Sequence, residues 1–223
     1  MQYRQLLEIL ESNADLQYRE FHKRLLKNDG IKVLGVRVPE LRKIAKQFKN
    51  DTDILMSFPD EYYEVTFIKL TAVSNLDYEK FIKCVDICVS LIDNWATCDC
   101  FTPKCIEKHK QDFLPYIERF LNVDGEFYQR FALTTLLHFY VDDEYIDLIF
   151  NAINKANTEN YYYVYMASAW LMAEVLVKYY DIGVEFLELG TLDKKTHNKA
   201  IQKANESFRL SEEQKKFLKE IKR

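Results

Sequence analysis

Glycine and proline are scarce in this chain, which contains five glycines and four prolines in 223 residues. Both residue types end helices and supply the tight turns of hairpins and phosphate-binding loops, so their scarcity disfavours strand-rich and dinucleotide-binding folds. Apolar residues recur at helical spacing, as at Val65, Ile68, Ala72 and Leu76. The sequence therefore predicts an all-α chain of about a dozen helices.

Short polar breaks separate the helical segments, for example at residues 28–30 and 123–125, and Ser211 with Gln214 predicts a capping box. Because connections of a few residues make consecutive helices antiparallel neighbours, we expect a row of helix pairs. Such a row is an α-α superhelix (solenoid) of HEAT-like helical repeats, which we expect to form a single domain over residues 1–223. A compact irregular bundle is the alternative, because the repeat is barely visible in the sequence.

Positive charge collects near the two ends of the chain, although the formal net charge is -4. Residues 19–49 carry ten Lys or Arg against three Asp or Glu, and residues 191–223 carry ten against five, whereas residues 50–190 are acidic. Two basic ends on a curved scaffold fit a protein that grips a polyanion through its phosphates. Pairing of the basic ends with the acidic middle is the alternative.

One basic helix start has the features of an anion site. Gly35 permits a turn, and Pro39 suits the first helical position, where a missing N–H costs nothing. The free N–H groups of the helix start would add to the charges of Arg37, Arg42 and Lys43. We interpret these three cations, Arg37, Arg42 and Lys43, as residues that bind the phosphates of a polyanion, with a solvated amphipathic helix as the alternative.

A second basic segment lies near the C-terminal end. Lys195, Lys199 and Lys203 are spaced by four, so a helix would present them as one stripe. Together with Lys194 they are predicted to contact the backbone phosphates of the same polyanion.

Trp95 and Asp99 are four residues apart, so a helix would place an indole and a carboxylate on one face. A carboxylate beside an aromatic surface can stabilise the sugar cation that develops during glycosidic cleavage. The alternative is a core tryptophan with an aspartate that caps a helix. We expect Trp170 to pack in the core, whereas the four tyrosines within residues 161–165 cannot all face inward.

No motif indicates a metal, a cofactor or a membrane segment. The five cysteines lie within residues 84–105 and include no paired CxxC spacing, so we expect reduced, mostly buried thiols and no metal. No apolar run reaches membrane length, and the N-terminal residues lack the apolar core of a signal peptide. We expect a cytoplasmic monomer that uses no cofactor and has no membrane partner.

Five segments carry a family resemblance: residues 34–46, Asp93–Trp95 with Asp99, Gln129–Arg130, Met166–Trp170 with Glu174, and Thr196–Lys203. In this order and over nearly the whole chain, they resemble the bacterial DNA alkylation repair proteins of the AlkD-like, HEAT-repeat class. The expected partner is therefore damaged or distorted duplex DNA.

The resemblance implies a DNA glycosylase that hydrolyses the N-glycosidic bond of cationic N3- or N7-alkylpurines without flipping the base. It implies that Asp99 and Trp95 are catalytic, that Trp95 and Tyr163 stack at the lesion, and that Arg130 lies near the DNA backbone. Residues 163–167 are tyrosines and apolar residues where active members carry a second tryptophan and cations. Two alternatives therefore stay open: a catalytically weak or inactive binder of distorted or branched DNA, and a protein-binding α-solenoid.

Overall fold

The computed structural model describes residues 1–26 and 30–223, which form fourteen α-helices and two short 3-10 helices without any strand. The α-helices are α1 (Tyr3–Ser12), α2 (Leu16–Leu26), α3 (Val38–Gln47), α4 (Thr52–Met56), α5 (Tyr63–Val73), α6 (Tyr78–Ser90), α7 (Trp95–Cys100), α8 (Lys110–Asn122), α9 (Glu126–Phe139), α10 (Ile146–Lys155), α11 (Tyr162–Lys178), α12 (Tyr180–Glu188), α13 (Lys194–Asn205) and α14 (Glu212–Glu220). The 3-10 helices are Lys104–Lys108 and Asp143–Tyr145. The all-α prediction is confirmed.

Of the two predicted breaks, residues 123–125 do separate α8 from α9. The other break, at residues 28–30, falls mostly outside the described residues, which resume at Gly30.

The chain divides into two compact units, the first unit (Met1–His109) and the second unit (Lys110–Arg223). In the first unit, α5 packs against α3, α4, α6 and α7. In the second unit, α9, α11 and α13 pack in succession, while α8 packs on α9, α10 on both α9 and α11, and α12 on α11. This arrangement is the predicted helical-repeat fold. The single domain over residues 1–223 stays a prediction.

Two helices are apolar on nearly all sides. Residues of α5 and α11 are buried around the helix rather than along one stripe, because four other helices cover each of them. A helix that is hydrophobic all round belongs in the interior. In each unit this central helix holds the positions of the helices that carry the candidate site residues.

Side chains cap several helix starts. Asp77, Asn94, Asp193 and Ser211 each accept the backbone N–H of the residue three positions later, as N-cap residues do. The predicted capping box of α14 is confirmed, because Gln214 Oε1 also accepts the backbone N–H of Ser211 at 2.9 Å.

A buried carboxylate anchors the chain just before α3. Glu64 lies in α5, is 0% exposed, and accepts the backbone N–H groups of Leu34, Gly35 and Val36 at 2.7 to 3.3 Å. Hydrogen bonds to a charged acceptor are stronger than neutral ones, and buried carboxylates require them. Glu64 thereby fixes the direction in which the chain enters α3.

The predicted glycine turn is confirmed at Gly35, where φ is +98°. A Cβ atom at this position would lie 2.5 Å from the carbonyl oxygen of Asp15 and 2.7 Å from Cβ of Arg19. The Gly35 carbonyl also accepts the N–H of Asp15 at 3.0 Å, which brings α2 close to this turn. α3 itself begins at Val38, one residue before the predicted start at Pro39.

We expect Glu64→Gln to destabilise the first unit by about 1 to 3 kcal/mol, because an amide presents one oxygen and an N–H₂ group to three N–H donors. The urea midpoint, followed by circular dichroism, measures the loss. As a matched control, Glu11→Gln on the exposed side of α1 should change the free energy of unfolding by less than about 0.5 kcal/mol. Equal midpoints for the two variants would show that the buried carboxylate is not the anchor.

Candidate functional site

A short helix, α7, carries the predicted catalytic pair. Its N-cap Asn94 accepts the N–H of Thr97 at 2.9 Å, and the Asn94 side-chain amide donates to Asp93 Oδ1 at 2.7 Å. Trp95, the first residue of α7, is partly buried, and its indole N–H donates to the backbone carbonyl of Leu25 in α2 at 3.2 Å. The indole ring is therefore held by both its packing and its hydrogen bond.

Asp99 lies one helical turn after Trp95 and is also partly buried, so the carboxylate and the indole share a face of α7. Burial raises the pKa of the neighbouring Cys100 thiol; the charge of Arg42 and a hydrogen bond from it oppose this rise, and the Asp99 carboxylate adds to it. Arg42 and Asp99 thus lie within electrostatic reach of one thiol. The first unit therefore places a predicted phosphate-binding cation and the predicted catalytic carboxylate in the same thiol's electrostatic environment.

Arg37 is held in place at the start of α3. Its Nη2 lies 2.8 Å from Asp15 Oδ2, and its guanidinium lies 4.8 Å from the ring centre of Tyr18. A backbone hydrogen bond from Tyr18 and then the Arg37 guanidinium lower the pKa of Asp15. Nothing local in the sequence marks Asp15 or Tyr18 as a partner of a residue some twenty positions away. Lys43 is mostly exposed and pairs with Glu40 at 2.9 Å.

In the second unit, Arg130 is only 5% exposed. Its Nη1 donates to the backbone carbonyl of Tyr163 at 2.7 Å, and its guanidinium lies 5.7 Å from the Tyr163 ring centre. Glu126 Oε1 accepts the N–H of Tyr163 at 2.6 Å. These contacts make Arg130 and Glu126 residues that position the start of α11, and the predicted contact of Arg130 with DNA stays a prediction.

The tyrosine cluster divides between core and surface, as expected. Tyr162 is 52% exposed, Tyr163 is partly buried, and Tyr165 is buried at 8%. The Lys195 ammonium lies 4.1 Å from the Tyr165 ring centre, a cation–π contact. A cation from α13 therefore lies beside tyrosines that have no basic residue next to them in the sequence.

The α13 lysines, Lys195, Lys199 and Lys203, all lie on one helix, and Lys194 is its first residue. Lys194 and Lys195 are exposed, whereas Lys199 and Lys203 are partly buried. Every fourth residue of a helix lies on the same side and is displaced by about 6 Å along the axis. The predicted stripe therefore exists as a geometric feature of the second unit.

Trp170 is not a fully buried core residue, contrary to the sequence-based expectation. It is partly exposed and lines a shallow groove with Lys203, Glu174 and Arg209. Arg209 Nη2 contacts both carboxylate oxygens of Glu174, at 2.9 and 2.7 Å. Trp170 and Glu174 are four residues apart, as Trp95 and Asp99 are. This spacing could have indicated from the sequence that the tryptophan and the carboxylate share one partly exposed face of α11.

The described part of the chain contains no group of three His, Cys, Asp or Glu side chains arranged to hold a metal ion. All five cysteines are free thiols, with Cys88 and Cys98 buried and the other three partly buried. Among the helices of residues 1–26 and 30–223, none has the length and apolar character needed to cross a membrane.

A comparison with curated proteins finds no match. A comparison with family profiles matches residues 6–208 to the family described as DNA alkylation repair enzyme. The match spans most of both units, including Trp95, Asp99 and the α13 lysines. This chain therefore belongs to the DNA alkylation repair enzyme family, and its membership supports a role in DNA repair.

Proposed function

We propose that the protein is a DNA glycosylase that removes cationic N3- or N7-alkylpurines from duplex DNA by hydrolysis of the N-glycosidic bond. The arrangement of Trp95 and Asp99 carries the proposal: the indole is fixed by the Leu25 carbonyl, and the carboxylate lies on the same face of α7. Membership of the repair family supports this assignment of substrate class.

Cleavage of this N-glycosidic bond requires mainly that the protein stabilise the positive charge that develops on the sugar. When the bond from C1′ to the purine nitrogen breaks, its electron pair neutralises the alkylpurine cation, which leaves as a neutral base. Positive charge then develops on the deoxyribose, where the Asp99 carboxylate stabilises it and the Trp95 ring provides a stacking surface. Water adds to C1′ and loses a proton to solvent, which leaves an abasic site. No cofactor or metal enters these steps.

Phosphate contacts supply the affinity in this proposal. In the first unit, Arg37 at the N-cap of α3 and Arg42 and Lys43 in the middle of that helix are exposed cations. In the second unit, Lys194 and the α13 lysines offer a line of ammonium groups at helical spacing. Contacts of this kind fix the register of DNA on a protein without reading its sequence.

A DNA-binding protein without excision activity is the second candidate. One observation favours it: the Arg130 guanidinium is buried and engaged with the Tyr163 carbonyl, so it offers little charge to a DNA phosphate near Tyr163. The two candidates share the fold and the basic surfaces, and they differ in whether a base is released.

We expect Asp99→Asn to keep DNA affinity and to slow base release by about 10²- to 10³-fold, because the substitution removes only the charge that stabilises the sugar cation. The measurement is single-turnover release of 7-methylguanine from a methylated duplex, with DNA affinity measured in parallel. Asp93→Asn is the matched control, because Asp93 is exposed, precedes α7, and would keep an oxygen acceptor for Asn94.

If the wild-type protein binds this duplex but releases no base above the spontaneous rate, the glycosylase proposal fails and the second candidate holds. Equal rates for wild type and Asp99→Asn would instead assign the carboxylate a structural role.

We expect Lys195→Glu with Lys199→Glu to weaken DNA binding to a similar extent for unrelated sequences and to lower the salt slope by about 2, since each lost phosphate contact contributes about 1. Fluorescence anisotropy over a range of salt concentrations gives both quantities. Lys216→Glu with Lys219→Glu on α14 makes the same change in net charge at exposed positions and should leave the slope nearly unchanged.

Losses that depend on DNA sequence would mean that these lysines read bases. Absence of salt-dependent DNA binding in the wild-type protein would favour a protein-binding α-solenoid instead.

A further inference from the structure

Phe208 is a fully exposed aromatic residue, with a relative accessibility of 101%. It lies in the turn between α13 and α14, while Leu210, two residues later, is buried. Single apolar residues at a surface are ordinary and need no explanation by themselves. The surroundings of Phe208 are what distinguish it.

The turn that presents Phe208 is fixed on both sides. The backbone N–H of Arg209 donates to Ser207 Oγ at 3.2 Å, and the Arg209 side chain holds Glu174 of α11 through both carboxylate oxygens. The capping box of Ser211 and Gln214 then starts α14 directly after Leu210. The ring is therefore carried by a well-anchored turn.

The helix before this turn, α13, carries several lysines. The α13 lysines end at Lys203, which lines a groove with Ser207 and Arg209, the two neighbours of Phe208, and with the acidic residues Glu174 and Glu206. Ammonium groups on α13 and an exposed aromatic ring in the turn that follows α13 match the two kinds of surface that a DNA strand presents, phosphates and stacked bases.

We propose that Phe208 is a wedge that inserts between stacked bases of the duplex whose phosphates are held by the α13 lysines, so that the bound DNA is kinked at this point. The inference rests on the proposed DNA binding and adds a contact to it. Exposed apolar side chains inserted at a base step bend DNA by about 20 to 90°, and the bend lets more of the duplex meet the protein surface.

The kink is measured by energy transfer between dyes on the two ends of an undamaged duplex of roughly 20 base pairs, a length that resists bending when free. We expect wild-type protein to bring the ends closer and Phe208→Ala to abolish this change. The affinity of Phe208→Ala should fall by about 5- to 150-fold, the range that corresponds to one base–aromatic stack of about 1 to 3 kcal/mol. Its salt slope should match wild type, because no charge is removed.

Two further variants make the test specific. Phe208→Leu keeps an apolar wedge and should retain most of the bend, whereas Phe217→Ala removes another exposed phenylalanine, on α14, and should behave as wild type. The wedge is overturned if Phe208→Ala binds as tightly as wild type, or if it brings the DNA ends as close together as wild type does. A change in self-association on gel filtration, with DNA binding intact, assigns the ring to a second copy of the chain and also overturns it. In both cases, binding that still depends on Lys195 and Lys199 leaves the proposed DNA binding intact.

Discussion

The hydrogen bonds from three consecutive backbone amides to the buried Glu64 carboxylate are the contacts on which the first unit depends. A carboxylate without water must be compensated by donors, and here the donors belong to the segment that leads into α3. The turn at Gly35 follows from the same contact, because the chain must bend sharply to point its amides at α5. Glycine is required there by both its dihedral angle and its lack of a Cβ.

This anchor connects stability to the site. Once the chain before α3 is fixed, Arg37 contacts Asp15 and the ring of Tyr18, and Arg42 hydrogen-bonds to Cys100. These contacts hold the Arg37 and Arg42 side chains in place, and in the proposed DNA complex such positioning lowers the ordering cost of binding. The Arg37–Asp15 ion pair is solvent-exposed and contributes little stability, so in the proposed complex a phosphate could replace the carboxylate.

Local features of the sequence predicted local features of the structure. The helical class, the turn at Gly35, the capping box at Ser211 and the helical spacing of the α13 lysines all depend on neighbours within a few positions. Contacts between residues far apart in the chain were not predictable in this way. Glu64 accepts hydrogen bonds from backbone amides about thirty positions earlier, and Arg130 donates to a carbonyl on another helix. Contacts over such sequence separations leave no local pattern from which they could be predicted. Trp170 was assigned to the core because its neighbours are apolar, but its exposure depends on which side of α11 the covering helices leave open.

The all-round burial of α11 has a consequence for the way the second unit opens. In many repeat proteins each pair of helices can fray from an end, because its interface with the next pair is separate. Here α9, α10, α12 and α13 all complete their packing on one apolar helix, so loss of any of them exposes part of α11 to water. The free energy of local unfolding is therefore high, and we expect the second unit to unfold as one cooperative block. Within such a block, the backbone that carries Tyr163, Trp170 and Lys195 stays ordered or unfolds together.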